Sequence, residues 1–386
     1  MLRQVRAAAC VAAVAVAATT ATASAAAWQE LPSQSPDPTS NELAGASSIP
    51  GGNTWWAVGQ TQAGTLIERA RQTGLTLVAG PSPGRFARLD AVSAVSGSNA
   101  WAVGGYTRSD GRPHALILHW DGGSWQISPS PDVPGAATAL GVELTGVLAL
   151  SRSDVWAVGF RAPRADVAET LAEHWNGRRW RIVPSQDPLD LEHRTNDALA
   201  AICRVPGTHQ LWAVGANGLV GRPLVEHWTG TTWAAVRVPI ATLPKHGIGV
   251  HLNGVAASKR FVVAVGTFDN QANGHTIPIA LVRTRAGWKV GHPVHGAGSA
   301  YFKAVTHVPG RSAFWAVGAE VTPTEVDAPF AERWDVTSWA RSPITNIDPS
   351  QTSELDGIRA TGDGSVLAVG LTETSGQELT LAELRR

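Results

Sequence analysis

The sequence predicts an all-β ring, a seven-bladed β-propeller with four antiparallel strands per blade and the last blade closed by the N-terminal strand. Three observations carry this. One phrase recurs seven times at intervals of 45 to 56 residues: Trp56-Ala57-Val58-Gly59, Trp101-Ala102-Val103-Gly104, Trp156-Ala157-Val158-Gly159, Trp212-Ala213-Val214-Gly215, Val263-Ala264-Val265-Gly266, Trp315-Ala316-Val317-Gly318 and Leu367-Ala368-Val369-Gly370. A second phrase follows in phase, as His119-Trp120-Asp121-Gly122-Gly123-Ser124-Trp125, His174-Trp175-Asn176-Gly177-Arg178-Arg179-Trp180 and His227-Trp228-Thr229-Gly230-Thr231-Thr232-Trp233, with Arg333-Trp334-Asp335-Val336-Thr337-Ser338-Trp339 a degraded copy. Finally, the seventh unit runs out of chain one strand early. A four-stranded unit of this size cannot bury both its faces alone, so neighbours must stack, and radial stacking leaves only short edges.

The elements follow in order. Residues 1–25 join Arg3 and Arg6 to an Ala/Val run over Ala7–Ala18 and end in Ala23-Ser24-Ala25. That basic, apolar, small-residue order is expected of a cleaved secretory signal, placing the protein outside the cell, with one propeller domain over 26–386. The run is too short and Ala-rich to span a bilayer core of about 30 Å, and Cys10 precedes most of it, so no membrane anchor is expected. Next, Trp28-Gln29-Glu30-Leu31-Pro32-Ser33 matches the fourth-strand phrase Trp125-Gln126-Ile127-Ser128-Pro129-Ser130. Residues 28–32 are therefore predicted to close the last blade.

Period-2 alternation and turn residues resolve the third unit into strands at 144–150, 155–160, 170–175 and 180–184. The second strands of all units are expected near 55–60, 100–106, 155–160, 211–216, 261–267, 314–319 and 366–371. Asp-Gly, Asn-Gly and Thr-Gly steps supply the positive φ of the outer hairpins. Alternation sets Trp156 and Val158 on one face and Ala157 on the other, so that a bulky blade face can meet a small one. Gly159 then ends the strand or lets another backbone approach.

The 31 basic and 31 acidic residues cancel, and loss of Arg3 and Arg6 leaves a net of −2; no nucleic-acid partner is expected. With Cys10 in the signal, Cys203 is the one remaining cysteine. It sits in an apolar run, and a small core residue is the favoured reading. A monomer is expected.

The unit Ser-x-x-Asp-Val-Trp-Ala-Val-Gly, followed by Leu-x-Glu-His-Trp-Asn-Gly-x-x-Trp-x-x-Val-Pro-Ser, resembles the repeats of secreted bacterial β-propeller proteins of unassigned activity. More loosely it is similar to kelch/galactose-oxidase and Asp-box (sialidase-type) propellers. The departures narrow what the resemblance implies. Only Gly104-Gly105-Tyr106 matches part of a kelch unit, and Ser151-Arg152-Ser153-Asp154-Val155-Trp156 lacks the Asp-box glycine. Tyr106 and Tyr301 are the only tyrosines, so neither the copper site of the oxidases nor the Arg-triad and Tyr nucleophile of the sialidases can be assembled.

Candidate ligand groups lie first on the channel rim. The residue before the small Gly/Ala of each first strand gives the ring Ala44, Asp90, Thr145, Ala200, Asn253, Lys303 and Asp356; the polar members are candidate ligand contacts, against a solvated lining as the plainer reading. The longest loops come second: 186–197 carries Asp187, Asp190, Glu192, His193 and Arg194, while 268–276 carries Asp269, Asn270, Asn273 and His275. From these, Asp190, His193, Asp269 and His275 are the candidates. The recurring Glu68-Arg69, Glu173-His174, Glu226-His227 and Glu332-Arg333 point to opposite strand faces. They suit contacts between blades better than a metal site, and no metal or cofactor is expected. No nucleophile or phosphate loop is present. The expected function is a non-catalytic extracellular module binding a glycan, peptide or cell-wall component; the alternative is a secreted carbohydrate-active hydrolase or lyase using the channel carboxylates.

Overall fold

The computed structural model describes residues 27–131, 133, 141–164, 167–185, 196–217, 222–238, 247–270, 274–345 and 347–386. The predicted signal, 1–25, lies outside them. Seven four-stranded antiparallel sheets form a ring. The innermost strands are Asn41–Ser48, Arg85–Ser96, Val142–Ser151, Asp197–Arg204, Gly247–Ala257, Ala300–His307 and Ser353–Ala360 in blades 1 to 7. Neighbouring innermost strands touch all the way round, blade 7 against blade 1 included. Trp28–Glu30 pairs with Gln377–Arg385, matching Trp28 to Arg385, and Leu31 N–H extends the ladder to the Ala382 carbonyl at 2.8 Å. Residues 28–31 thus complete blade 7.

The alternation of the repeated phrase builds the blade interfaces. Trp156 and Val158 pack on Leu199, Leu224 and Trp233 of blade 4, whereas Ala157 and Val155 meet Trp101 and Val103 of blade 2. Outermost-strand Trp residues meet the second-strand Trp of the preceding blade edge to face. Trp125–Trp56, Trp180–Trp101, Trp233–Trp156, Trp288–Trp212 and Trp28–Trp315 have centroids 5.2 to 5.6 Å apart, a favoured aromatic geometry. Where Leu367 replaces the second-strand Trp, the partner is Leu75, so the volume is kept by aliphatic contact.

The outer turns follow their sequence. Gly122, Gly177 and Gly230 all have positive φ, at 104°, 90° and 102°, and the Asp121 carboxylate accepts from Gly123 and Ser124 N–H. In blade 6 the equivalent residue is Val336, held at φ 71°, a strained conformation for a β-branched side chain.

Of the two readings of Gly159, the structure selects close backbone approach, since its strand runs on over Asp154–Arg164. A Cβ there would lie 2.0 Å from the Glu143 carbonyl oxygen, and the other six glycines of the phrase would place theirs at 1.8 to 2.1 Å from the matching carbonyl. The glycine is a site of close backbone approach inside one blade. One other expectation needs correction. Residues 268–276 are not a long loop: Val262–Asn270 and His275–Thr284 form a hairpin, with Asp269 opposite Thr276 and Asn270 opposite His275. The Asp, Asn and Gly content suggested a loop, but ladder pairing uses backbone groups and tolerates polar side chains above the core.

Candidate functional site

The glycine of each repeated phrase also shapes the channel. Opposite it, every innermost strand carries a register shift, between Leu43/Gly45, Leu89/Ala91, Leu144/Gly146, Leu199/Ala201, Leu252/Gly254, Phe302/Ala304 and Leu355/Gly357. The extra residue of each bulge is the ring residue expected from sequence. A bulge re-aims one side chain; seven equivalent bulges turn Ala44, Asp90, Thr145, Ala200, Asn253, Lys303 and Asp356 toward the axis. The following Gly or Ala lets adjacent backbones close in, as at Gly45, whose Cβ would meet the Asp90 carbonyl at 2.8 Å.

The ring residues divide by what they touch. Thr145 donates to the Leu199 carbonyl of the next blade at 2.5 Å, and Asn253 donates to the Phe302 carbonyl at 2.8 Å. Their polar groups are engaged in holding neighbouring blades. Asp90, Lys303 and Asp356 instead join a second tier two residues upstream, Glu42, Arg88, Glu143, Ala198, His251, Tyr301 and Glu354, which the sequence reading missed. Extending the period-2 alternation of the innermost strand one step toward the upper face would have found it. Here the upper face is the one bearing the second-to-third and fourth-to-first connections.

In this tier Arg88 bridges Asp90 (3.3 Å) and Glu143, while Lys303 bridges Asp356 (3.2 Å) and Glu354 (3.4 Å). Tyr301 O–H donates to Glu354 at 3.0 Å, and Gln60 donates to Glu42 at 2.7 Å. Burial, reinforced by Glu143, pushes the Asp90 carboxyl up to about 7 despite Arg88. Burial with Glu354 does the same to Asp356 despite Lys303. Glu42 lies close enough to push both upward. The Oδ2 atoms of Asp90 and Asp356 are buried and have no hydrogen-bond partner. The result is an acidic arc of five carboxylates and two cations, each cation already shared by two carboxylates. His251 Nε2 stands 3.9 Å from Asp269, which also accepts from the Thr276 hydroxyl at 3.2 Å. His275 is near the Ser299 hydroxyl at 3.5 Å. Asp269 and His275 thus sit on the blade 5 hairpin, while Asp190 and His193 lie outside the described residues.

At the upper end of the blade 2 innermost strand, two residues before Arg88, Phe86 is 68% exposed with φ 53°. An exposed aromatic residue in a left-handed conformation is costly, and such outliers concentrate at binding sites. Most Trp side chains are buried, which removes them as stacking surfaces.

The recurrent glutamates join blades. Glu173 accepts from the Ser130 hydroxyl at 2.8 Å, Glu226 from Ser185 at 2.7 Å, Glu68 from Gln34 N–H and Glu332 from Val294 N–H, both at 2.9 Å. Each donor follows the outermost strand of the preceding blade. The adjacent His119, His174 and His227 lie over Trp101, Trp156 and Trp212 with centroids 4.2 to 4.4 Å apart. Cys203 is buried, and burial pushes its thiol up to about 12, which makes it unreactive.

No family model matches the chain, and no curated protein matches it. Among solved structures it is similar to a hydrazine synthase chain of Kuenenia stuttgartiensis, with TM-score 0.54 and 10% identity over 89% of this chain and 94% of that one. The likeness shows the fold alone. It is also similar to YjhT, with TM-score 0.41 and 11% identity over 89% of this chain and 98% of that one. For a thermostable family-43 glycoside hydrolase the TM-score is 0.40 and the identity 10%, over 67% and 97% of the two chains.

Proposed function

We propose that the protein is an exported, non-catalytic binding module whose upper channel mouth holds a glycan. The observation that carries this reading is the pairing of the acidic arc with exposed Phe86 on one strand end. Carboxylates accept hydrogen bonds from sugar hydroxyls, and a ring face packs against the apolar side of a pyranose. Because Arg88 and Lys303 already bridge the carboxylates, the arc is pre-organised and loses little freedom on binding. The hydrolase reading keeps one specific support: Asp90 and Asp356, both near 7, lie in the range of a general acid. A glycan array combined with a hydrolysis assay on the mature protein separates the two. Binding without turnover is expected, with Phe86→Ala weakening affinity about tenfold, or about 1.4 kcal/mol. Turnover that disappears in Asp356→Asn would replace this reading with the hydrolase.

A further inference from the structure

The opposite end of the channel has the reverse charge and no compensation. Below the ring of bulges it widens into a cavity of about 720 Å³. Five cationic side chains line it, Arg204, Lys259, Arg260, Arg311 and Arg359, with no carboxylate in the lining; His307 also lines it, but burial lowers its pKa and its Nε2 meets the Arg311 carbonyl at 2.9 Å. Among the described residues none of the five makes an ion pair. The lower-face carboxylates Asp154 and Asp363 are outside this lining and are engaged elsewhere, by His174 and Trp156 in one case and by Thr361 and Ser365 in the other.

Arg359 stands out within this group. Three residues below the bulges, the innermost strands of blades 1, 2 and 6 carry Ser47, Ser93 and Thr306, whose hydroxyls accept from Ala94, Ala149 and Ala360 N–H of the next blade at 3.0, 3.0 and 3.3 Å. Blade 7 places Arg359 there instead, and among the described residues its guanidinium has no hydrogen-bond partner, only its backbone carbonyl accepting from Trp55. Arg359 is exposed to the cavity, and the protein groups around it hold its pKa below the ordinary arginine value. It lines the cavity together with His307 of the adjacent blade and Cys203 of blade 4. Nearby, Arg260 lies over the Phe261 ring at 5.7 Å and Arg311 packs against Gly364.

We infer that the lower mouth is an oxyanion site that takes a phosphate monoester, with Arg359 as its central donor. Like charges gathered in one enclosed space repel, and an anion relieves that repulsion. A guanidinium fork matches the oxygens of phosphate. The cavity is larger than inorganic phosphate requires, and Leu148 and Ile202 give it apolar wall, which suits the organic part of an ester.

The test is isothermal titration of the mature protein with glucose-6-phosphate, inorganic phosphate and glucose, together with melting curves. Glucose-6-phosphate should bind more tightly than inorganic phosphate, raise the melting temperature, and weaken as salt rises. Arg359→Gln should lower its affinity at least tenfold while melting no lower than the parent without ligand, because the guanidinium has no partner to lose. Asp356→Asn, in the upper mouth, should leave this affinity unchanged, so failure of the glycan reading and failure of this one are separate results. Absence of phosphate-ester binding at millimolar concentration, undiminished binding by Arg359→Gln, or equal affinity for inorganic phosphate would overturn the inference.

Discussion

The inner and outer edges of each blade are built on opposite rules. At the outer edge the residue types nearly repeat: Trp125, Trp180, Trp233, Trp288, Trp339 and Trp28 occupy equivalent places on the outermost strands, and five of them meet a second-strand Trp of the preceding blade. At the inner edge the backbone repeats and the side chains do not. Seven bulges expose Ala, Asp, Thr, Ala, Asn, Lys and Asp. Interlocking side chains fix the identity of the outer residues, because a change of volume there opens a cavity or forces a clash. The bulge is fixed by a glycine on the neighbouring strand, which leaves the ring residue free to vary.

The largest expected effect falls on the outer edge, where removal of residues 26–36 takes Trp28 and Leu31 out of the core. The melting temperature should drop by on the order of 10 °C, read by circular dichroism; an unchanged melt would separate ring closure from stability. On the inner edge, Gly159→Ala sets a Cβ against the Glu143 backbone. It should cost on the order of 3 kcal/mol in chemical denaturation, whereas Ala44→Ser, at a ring position, should cost under about 0.5 kcal/mol. Equal costs would erase the distinction between the two kinds of inner-edge position.

The third expectation concerns pH. Burial raises the carboxyls of Glu68, Glu173 and Glu332 to about 7 from an ordinary value near 4.5. A carboxyl that holds its proton more tightly when folded stabilises the protein below about 4.5, and that stabilisation is lost as pH rises to about 7. Denaturation free energy should therefore fall between pH 5 and pH 7 and level off above. Glu173→Gln should remove one share of that slope, about 3 kcal/mol for a fully buried group. A slope unaltered in this variant would mean that other groups cause it. The smallest expected effect returns to an outer turn: Val336→Gly should relieve the φ of 71° and stabilise by about 0.5 kcal/mol after the added chain entropy. A loss of stability would show that the packing of Val336 outweighs its strain.

Much of the inner ring was legible because the marker and the marked residue are close in the pattern. A small Gly or Ala follows each ring position, and the repeated glycine lies opposite on the next strand. The upper tier of Arg88, Glu143 and Glu354 follows the same alternation and was within reach. Phe86 carries no such marker: its φ and exposure arise from how its strand enters the channel, as the irregular pairing between Arg85 and Arg88 records. Reading Asp269 and His275 as loop residues failed because side-chain polarity is a poor guide where a hairpin rises above the core.

By itself the sequence determined the number of blades, their strands, the closing role of Trp28 and the identity of the ring, because repetition and period-2 alternation are local properties that one chain displays along its length. Only the tertiary structure decided that Arg88 and Lys303 would be neutralised while Arg359 would not. Residues far apart in the chain, from Arg204 to Arg359, meet only when the ring closes, and electrostatic compensation depends on distances that no linear spacing encodes.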